Sequence, residues 1–171
     1  MLLSIIRNVL MEKNIMTYCF FGHRDTSASV APQLEQTLRK IIEADASARF
    51  LVGHQGCFDR IVASLLATLK SEFPQIRCYI VLYRMPEKTN EVYPLETLYP
   101  EELASVPKRF GIDKRNRWML KQSDAVIAYV ISSVGNSARY LSIAEKGKKI
   151  CINLAKNAVL DQMLKKTSLI L

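Results

Sequence analysis

The chain has 171 residues and 49% hydrophobic content, enough to bury one core of ordinary size, and it carries a formal charge of +8. No apolar run reaches the ~18 residues needed to span a bilayer. The first ten residues, MLLSIIRNVL, are short, interrupted by Arg7 and without a small-residue cleavage pattern, so neither a membrane anchor nor a signal peptide is expected. Cys19, Cys57, Cys78 and Cys151 show no CxxC spacing. Three of them fall in apolar strand-like runs, which reads as buried free thiols in a reducing cytoplasm.

The charge is uneven. Residues 1–107 hold 11 Lys or Arg against 12 Asp or Glu; residues 108–171 hold 13 against 4. A basic C-terminal part suits an anionic partner such as a nucleotide phosphate, RNA or DNA. The plain alternative is a solvated lysine surface over Lys146, Lys148, Lys149, Lys165 and Lys166.

Residues 1–16 read as an N-terminal extension, either a short helix or a misplaced start with Met11 or Met16 as the true one. Residues 17–171 read as a single domain. The run Tyr18-Cys19-Phe20-Phe21 ends at Gly22 and predicts the first strand. Leu34, Leu38, Ile41 and Ile42 recur at helical spacing, with Pro32 in the first turn and Ser29 as an N-cap candidate. Phe50-Leu51-Val52 predicts a second strand. Phe58, Ile61, Val62, Leu65, Leu66 and Leu69 form the next helical face, which Pro74 stops. RCYIVLYR (77–84) predicts a third strand. Residues 85–108, with four prolines, are too long for an ordinary connection and predict a lid or loop insertion. RNRWMLKQS (115–123) predicts a short helix and DAVIAYVI (124–131) a fourth strand. A loop, a helix and a glycine stop follow, then a fifth strand at ICINL (150–154) and a final helix from Ala158 to Lys166.

Strands that are apolar throughout are buried on both faces, which predicts a parallel sheet covered by helices. The expected fold is α/β: a Rossmann-like three-layer α/β/α domain with a mainly parallel five-stranded sheet in the order 3-2-1-4-5. Ligands of such sheets bind beyond the carboxyl ends of the strands. The unusual residues fall there: GHRD (22–25), GHQGCFD (53–59) and SSVGNS (132–137).

Gly53 and Gly56 at a strand-to-helix turn permit close backbone approach, either for a phosphate or ribose or merely for a tight turn. Gly135, Asn136 and Ser137 occupy the matching place after strand four. Arg24 could grip phosphate or pair with Asp25 or Asp59. Asp59 could accept from a ribose or base, or favour its helix dipole. The RNR at 115–117 is a further anion clamp or plain surface charge, and Trp118 is expected to pack in the core. His23 and His54 both follow a strand-end glycine. With Asp59 they are the candidates for acid/base chemistry; their spacing with Cys57 is not that of a metal site, and no metal is expected.

Taken together, CFFGHRD, GHQGCFDRIVA, RNRWMLKQSDAVIAYV and GNSARYLSIAEKGKKICIN resemble the YpsA-like branch of the SLOG superfamily over residues 17 to 155. That superfamily is Rossmann-like and related to the LOG phosphoribohydrolases and to the DNA-processing protein DprA. The resemblance implies a nucleotide or ADP-ribose-like ligand at the switch point, often in a sensor. It implies that Gly22, His23 and Arg24 line the cleft, that Gly53, Gly56 and Asp59 form a second loop supported by Asn116 and Arg117, and that Gly135, Asn136 and Ser137 meet phosphate. It also implies pairing into a homodimer. The catalytic LOG loop, Pro-Gly-Gly-x-Gly-Thr-x-x-Glu, is replaced here by SSVGNSARYLSIAE, with Glu145 too far into the helix, so LOG-type hydrolysis is not expected to carry over.

The resulting expectation is a cytoplasmic nucleotide-binding domain. A nucleotide-processing hydrolase and a nucleic-acid-binding protein are the alternatives, with a pure interaction module behind them.

Overall fold

A computed structural model of the chain describes residues 15–86 and 91–156. The N-terminal segment before residue 15 and the helix expected from Ala158 to Lys166 lie outside the described residues.

Six parallel strands form one sheet. They are β1 (Thr17–Gly22), β2 (Arg49–Val52), β3 (Arg77–Val81), β4 (Glu96–Leu98), β5 (Ala125–Tyr129) and β6 (Ile150–Asn153), in the spatial order β4-β3-β2-β1-β5-β6. The expected 3-2-1-4-5 order corresponds to β3-β2-β1-β5-β6, five consecutive strands of this sheet. The correction is a sixth strand: β4, inside the segment 85–108, pairs with β3 in the register Tyr79↔Glu96 to Val81↔Leu98. Its residues ETL give no apolar run, because an edge strand is half open to water. β3 and β5 are also shorter than the apolar runs suggest, since Leu82 and Val130 remain buried beyond the strand ends.

Four helices cover the sheet: α1 (Ala31–Ala44), α2 (Cys57–Glu72), α3 (Gly111–Gln122) and α4 (Asn136–Lys146). Side chains of a strand alternate between faces, and β1 shows it. Tyr18 and Phe20 enter the core under α1 and α2, while Cys19 and Phe21 enter the core under α3 and α4. α1 starts at Ala31 with Pro32 in its first turn, where the missing N–H costs nothing. The cap is Ser27 rather than Ser29: its hydroxyl accepts from the Ser29 N–H and opens a short 3-10 turn ahead of α1. Fully buried residues such as Leu34, Leu38, Ile41 and Leu66 each contribute about 1.5–3 kcal/mol. All four cysteines are free, with Cys19 and Cys78 buried. No helix among the described residues is long and apolar enough to cross a membrane.

Candidate functional site

The switch point of this sheet lies between β1 and β5, from which the chain runs outward through β2, β3 and β4 on one side and β6 on the other. A cleft of about 300 Å³ opens there. From β1 come Gly22, His23 and Arg24; from the turn after β2, Gly53, Gln55 and Asp59; from the start of α4, Asn136 and Ser137; and from α3, Ile112, Arg115 and Asn116. The loops are tied together. Ser137 Oγ donates to the Gly22 carbonyl at 2.6 Å, and the Cys57 N–H donates to the Arg24 carbonyl at 2.8 Å.

The glycines have protein neighbours. A Cβ on Gly22 would stand 2.2 Å from the Phe58 ring, and one on Gly53 would stand 2.4 Å from Asp59 Oδ2 and 2.9 Å from Arg115 Nη1. Gly56 has φ +97°, and its Cβ would meet Arg24 Cα at 2.8 Å. So the close approach at Gly53 and Gly56 is made by the buried Asp59 and Arg115 and by the Arg24 backbone. Gly56 lies behind the cleft wall. Gly135 differs: φ is +107°, yet nothing lies within 4 Å of its would-be Cβ.

Arg115 is the residue that sequence reasoning left in the background. It is only 1% exposed. Its Nε donates to Asn116 Oδ1 at 2.8 Å and its Nη1 to the Val81 carbonyl at 2.9 Å, while Nη2 has no hydrogen-bond partner among the described residues. Arg117 was the arginine expected here. It points the other way, with Nε donating to Asp113 Oδ2 at 2.9 Å on the exposed side of α3. The two positions are about 200° apart around a helix, so only one can face the cleft. Gly111, Arg115 and Met119 are buried at four-residue spacing, and that row was the available signal.

Asp59 faces Arg115 and accepts from the Gln55 N–H at 2.9 Å. Burial pushes its carboxyl up, and the Arg115 charge and the Gln55 bond pull it back. Burial likewise pushes the Arg115 guanidinium down, opposed by Asp59. Each charge is short of solvent, and an anion entering the cleft would supply what Arg115 lacks. Arg24 is exposed at the rim, and its guanidinium pairs with neither Asp25 nor Asp59. Tyr140 also lines the cleft and donates to Asp113 Oδ1 at 2.6 Å; burial and that carboxylate push the phenol up to about 12. Burial would raise Asp113 itself, but the bonds from Tyr140 and Arg117 outweigh it and hold the carboxyl low.

The histidines part company. His23 lines the cleft, and its Nε2 accepts from the Ile131 N–H at 3.0 Å and faces the Ser132 N–H at 3.4 Å. It therefore holds the loop that leads into α4. His54 is outside the cleft, stacked on Tyr83 at 5.2 Å and edge-on to Tyr93 at 5.9 Å. Burial, with help from Arg115, pushes His54 down to about 4, so it is neutral at physiological pH. No hydrogen bond joins Asp59 to either histidine among the described residues. Nor does any group of three His, Cys, Asp or Glu side chains there stand together as metal ligands.

The helix ends complete the electrostatics. α2 begins at Gly56 and α4 at Gly135, and neither has a side-chain cap. Asn136 and Ser137, the first two residues of α4, line the cleft, with the positive end of the α4 dipole behind them. With Arg24 and Arg115, this is an arrangement for holding an anion.

No protein-family model matches the chain, and no curated protein matches it. Among solved structures, the chain is similar to DNA processing protein A from Helicobacter pylori, which has a unique single-stranded DNA binding mode. The two share 17% identity at a TM-score of 0.55, over 86% of this chain and 72% of that one. At that identity the likeness is one of fold, and this chain has the Rossmann-like α/β fold of that protein.

Proposed function

We propose that this protein binds single-stranded nucleic acid and holds a backbone phosphate in the switch-point cleft. The observation that carries the reading is Arg115: a buried guanidinium whose Nη2 has no hydrogen-bond partner among the described residues, lining a cleft that also presents the exposed Arg24 and the uncapped start of α4. A guanidinium fork and backbone N–H groups are the groups that grip phosphate. The basic balance of residues 108–171 and the fold shared with a single-stranded-DNA-binding protein favour a strand as the source of that phosphate.

The test is fluorescence anisotropy with a labelled oligothymidylate, repeated across a salt series. Affinity should fall with salt, with a log–log slope of about −0.7 for each phosphate neutralised. The slope should shrink in Arg24→Ala. A second reading keeps the cleft but replaces the strand with a free nucleotide or ADP-ribose-like ligand, as in a YpsA-like sensor; the small size of the cleft favours it. Under that reading AMP or ADP-ribose raises the melting temperature while the oligonucleotide does not bind. Binding of neither probe sinks both.

A further inference from the structure

From a second cavity on the far side of α4 we infer that the nucleoside half of the ligand is received there, across β5, and not on the β2–β3 side of the sheet. This rests on the reading that a phosphate occupies the switch-point cleft. The cavity, about 530 Å³, lies at the carboxyl ends of β5 and β6. It is within the size range of small-ligand sites.

Charge separates the two cavities. The cleft offers two guanidinium groups, Arg24 and Arg115, against one buried carboxyl, Asp59, which leaves it the more positive of the two. The second cavity offers Glu145 and Lys156, whose charged atoms are 4.0 Å apart and cancel. Its walls combine the apolar Val130, Ile131 and Leu141 with the hydroxyl of Ser142. A neutral, flat, hydrogen-bonding group joined to an anion fits the pair, and a nucleobase on its phosphate is such a group.

One contact joins the two linings across the start of α4: His23, which lines the cleft, accepts from the N–H of Ile131, which lines the second cavity. The loop into α4 leaves Ile131 61% and Val134 77% exposed, apolar surface in need of a cover. The opposite direction is crowded: behind Gly53 and Gln55, which wall the cleft, His54 lies against Tyr83 and Tyr93, the Arg84 guanidinium is 5.7 Å from the Tyr83 ring centroid, and a Cβ on Gly111 would stand 3.0 Å from the Tyr83 carbonyl oxygen.

The test uses Ala138→Trp, which places an indole in the second cavity, with inorganic pyrophosphate and a labelled oligothymidylate as probes. Wild-type protein should bind both. In the variant, oligonucleotide affinity should drop about tenfold while pyrophosphate affinity holds, since a lost base–protein contact is on the order of a tenfold effect. Equal oligonucleotide affinity in variant and wild type overturns the inference and leaves the cleft reading intact. If wild type binds neither probe, the cleft reading itself has failed. Should the variant unfold or lose both probes, photocrosslinking with 4-thiothymidine decides on the wild-type protein. Crosslinks to Ile131–Ser133 or Leu141–Glu145 support the second cavity, and crosslinks confined to residues 54–84 overturn it.

Discussion

Gly56 and Gly135 stand at equivalent places, each the residue before a helix that follows a strand, each uncapped, with φ of +97° and +107°. Their surroundings are opposite. Gly56 is pressed against the Arg24 backbone, whereas Gly135 faces open space. At Gly56 the turn after β2 is closed by protein, and at Gly135 the turn after β5 is open. A glycine turn therefore reports a backbone conformation, and only the neighbours say whether room is kept for a ligand.

That contrast can be broken by substitution. Gly56→Ala meets both the backbone penalty and the 2.8 Å contact with Arg24 Cα. It should cost about 4 kcal/mol in urea unfolding, the sum of a Gly-only conformation and overpacking. Arg115→Met leaves Asp59 buried beside no cation. It should lose about 3 kcal/mol by the same measurement, and with it all oligonucleotide binding. Gly135→Ala meets the conformational penalty alone and should cost about 2 kcal/mol. Equal losses for the two glycines would erase the difference between the closed and the open turn. Arg24→Ala, at an exposed rim, should change stability by less than about 0.5 kcal/mol yet weaken oligonucleotide binding, read by anisotropy.

A pH dependence separates the two histidines. His54 is held at about 4, below its ordinary 6.5, because burial and the Arg115 charge oppose protonation. Above 6.5 neither folded nor unfolded chain carries that proton. Between 6.5 and 4 the unfolded chain takes it up first, so stability is lost as pH falls through that window. Thermal melts at pH 7 and pH 5 should differ by on the order of 3 °C more in wild type than in His54→Phe. An identical pH response in the two proteins would remove His54 from the buried stack.

Much of the fold was legible. The apolar runs ending at Gly22, at Val52 and in 124–131 mark buried parallel strands, because such strands need no polar face. The placement of Arg24, Asp59, Asn136 and Ser137 at the cleft follows from the same pattern, since the loops after parallel strands share one end of the sheet. β4 was hidden because three residues with one apolar side chain carry no periodicity. His54 sits next to Gly53 in the sequence, but its ring packs against Tyr83 and Tyr93, which arrive from the segment around β3 and β4.

The sequence by itself determined the Rossmann-like class, the order of five of the six described strands and the end of the sheet where ligand-binding loops gather. Those depend on local apolar runs and on the handedness of the connections. Only the tertiary structure decided that Arg115 and not Arg117 enters the cleft, that Asp59 and Arg24 fill the space left by Gly53 and Gly56, and that the open turn is the one after β5. Those depend on the rotation of α3 about its axis and on contacts between separate segments, such as Gly56 against Arg24 and Gly53 against Arg115, which no local pattern specifies.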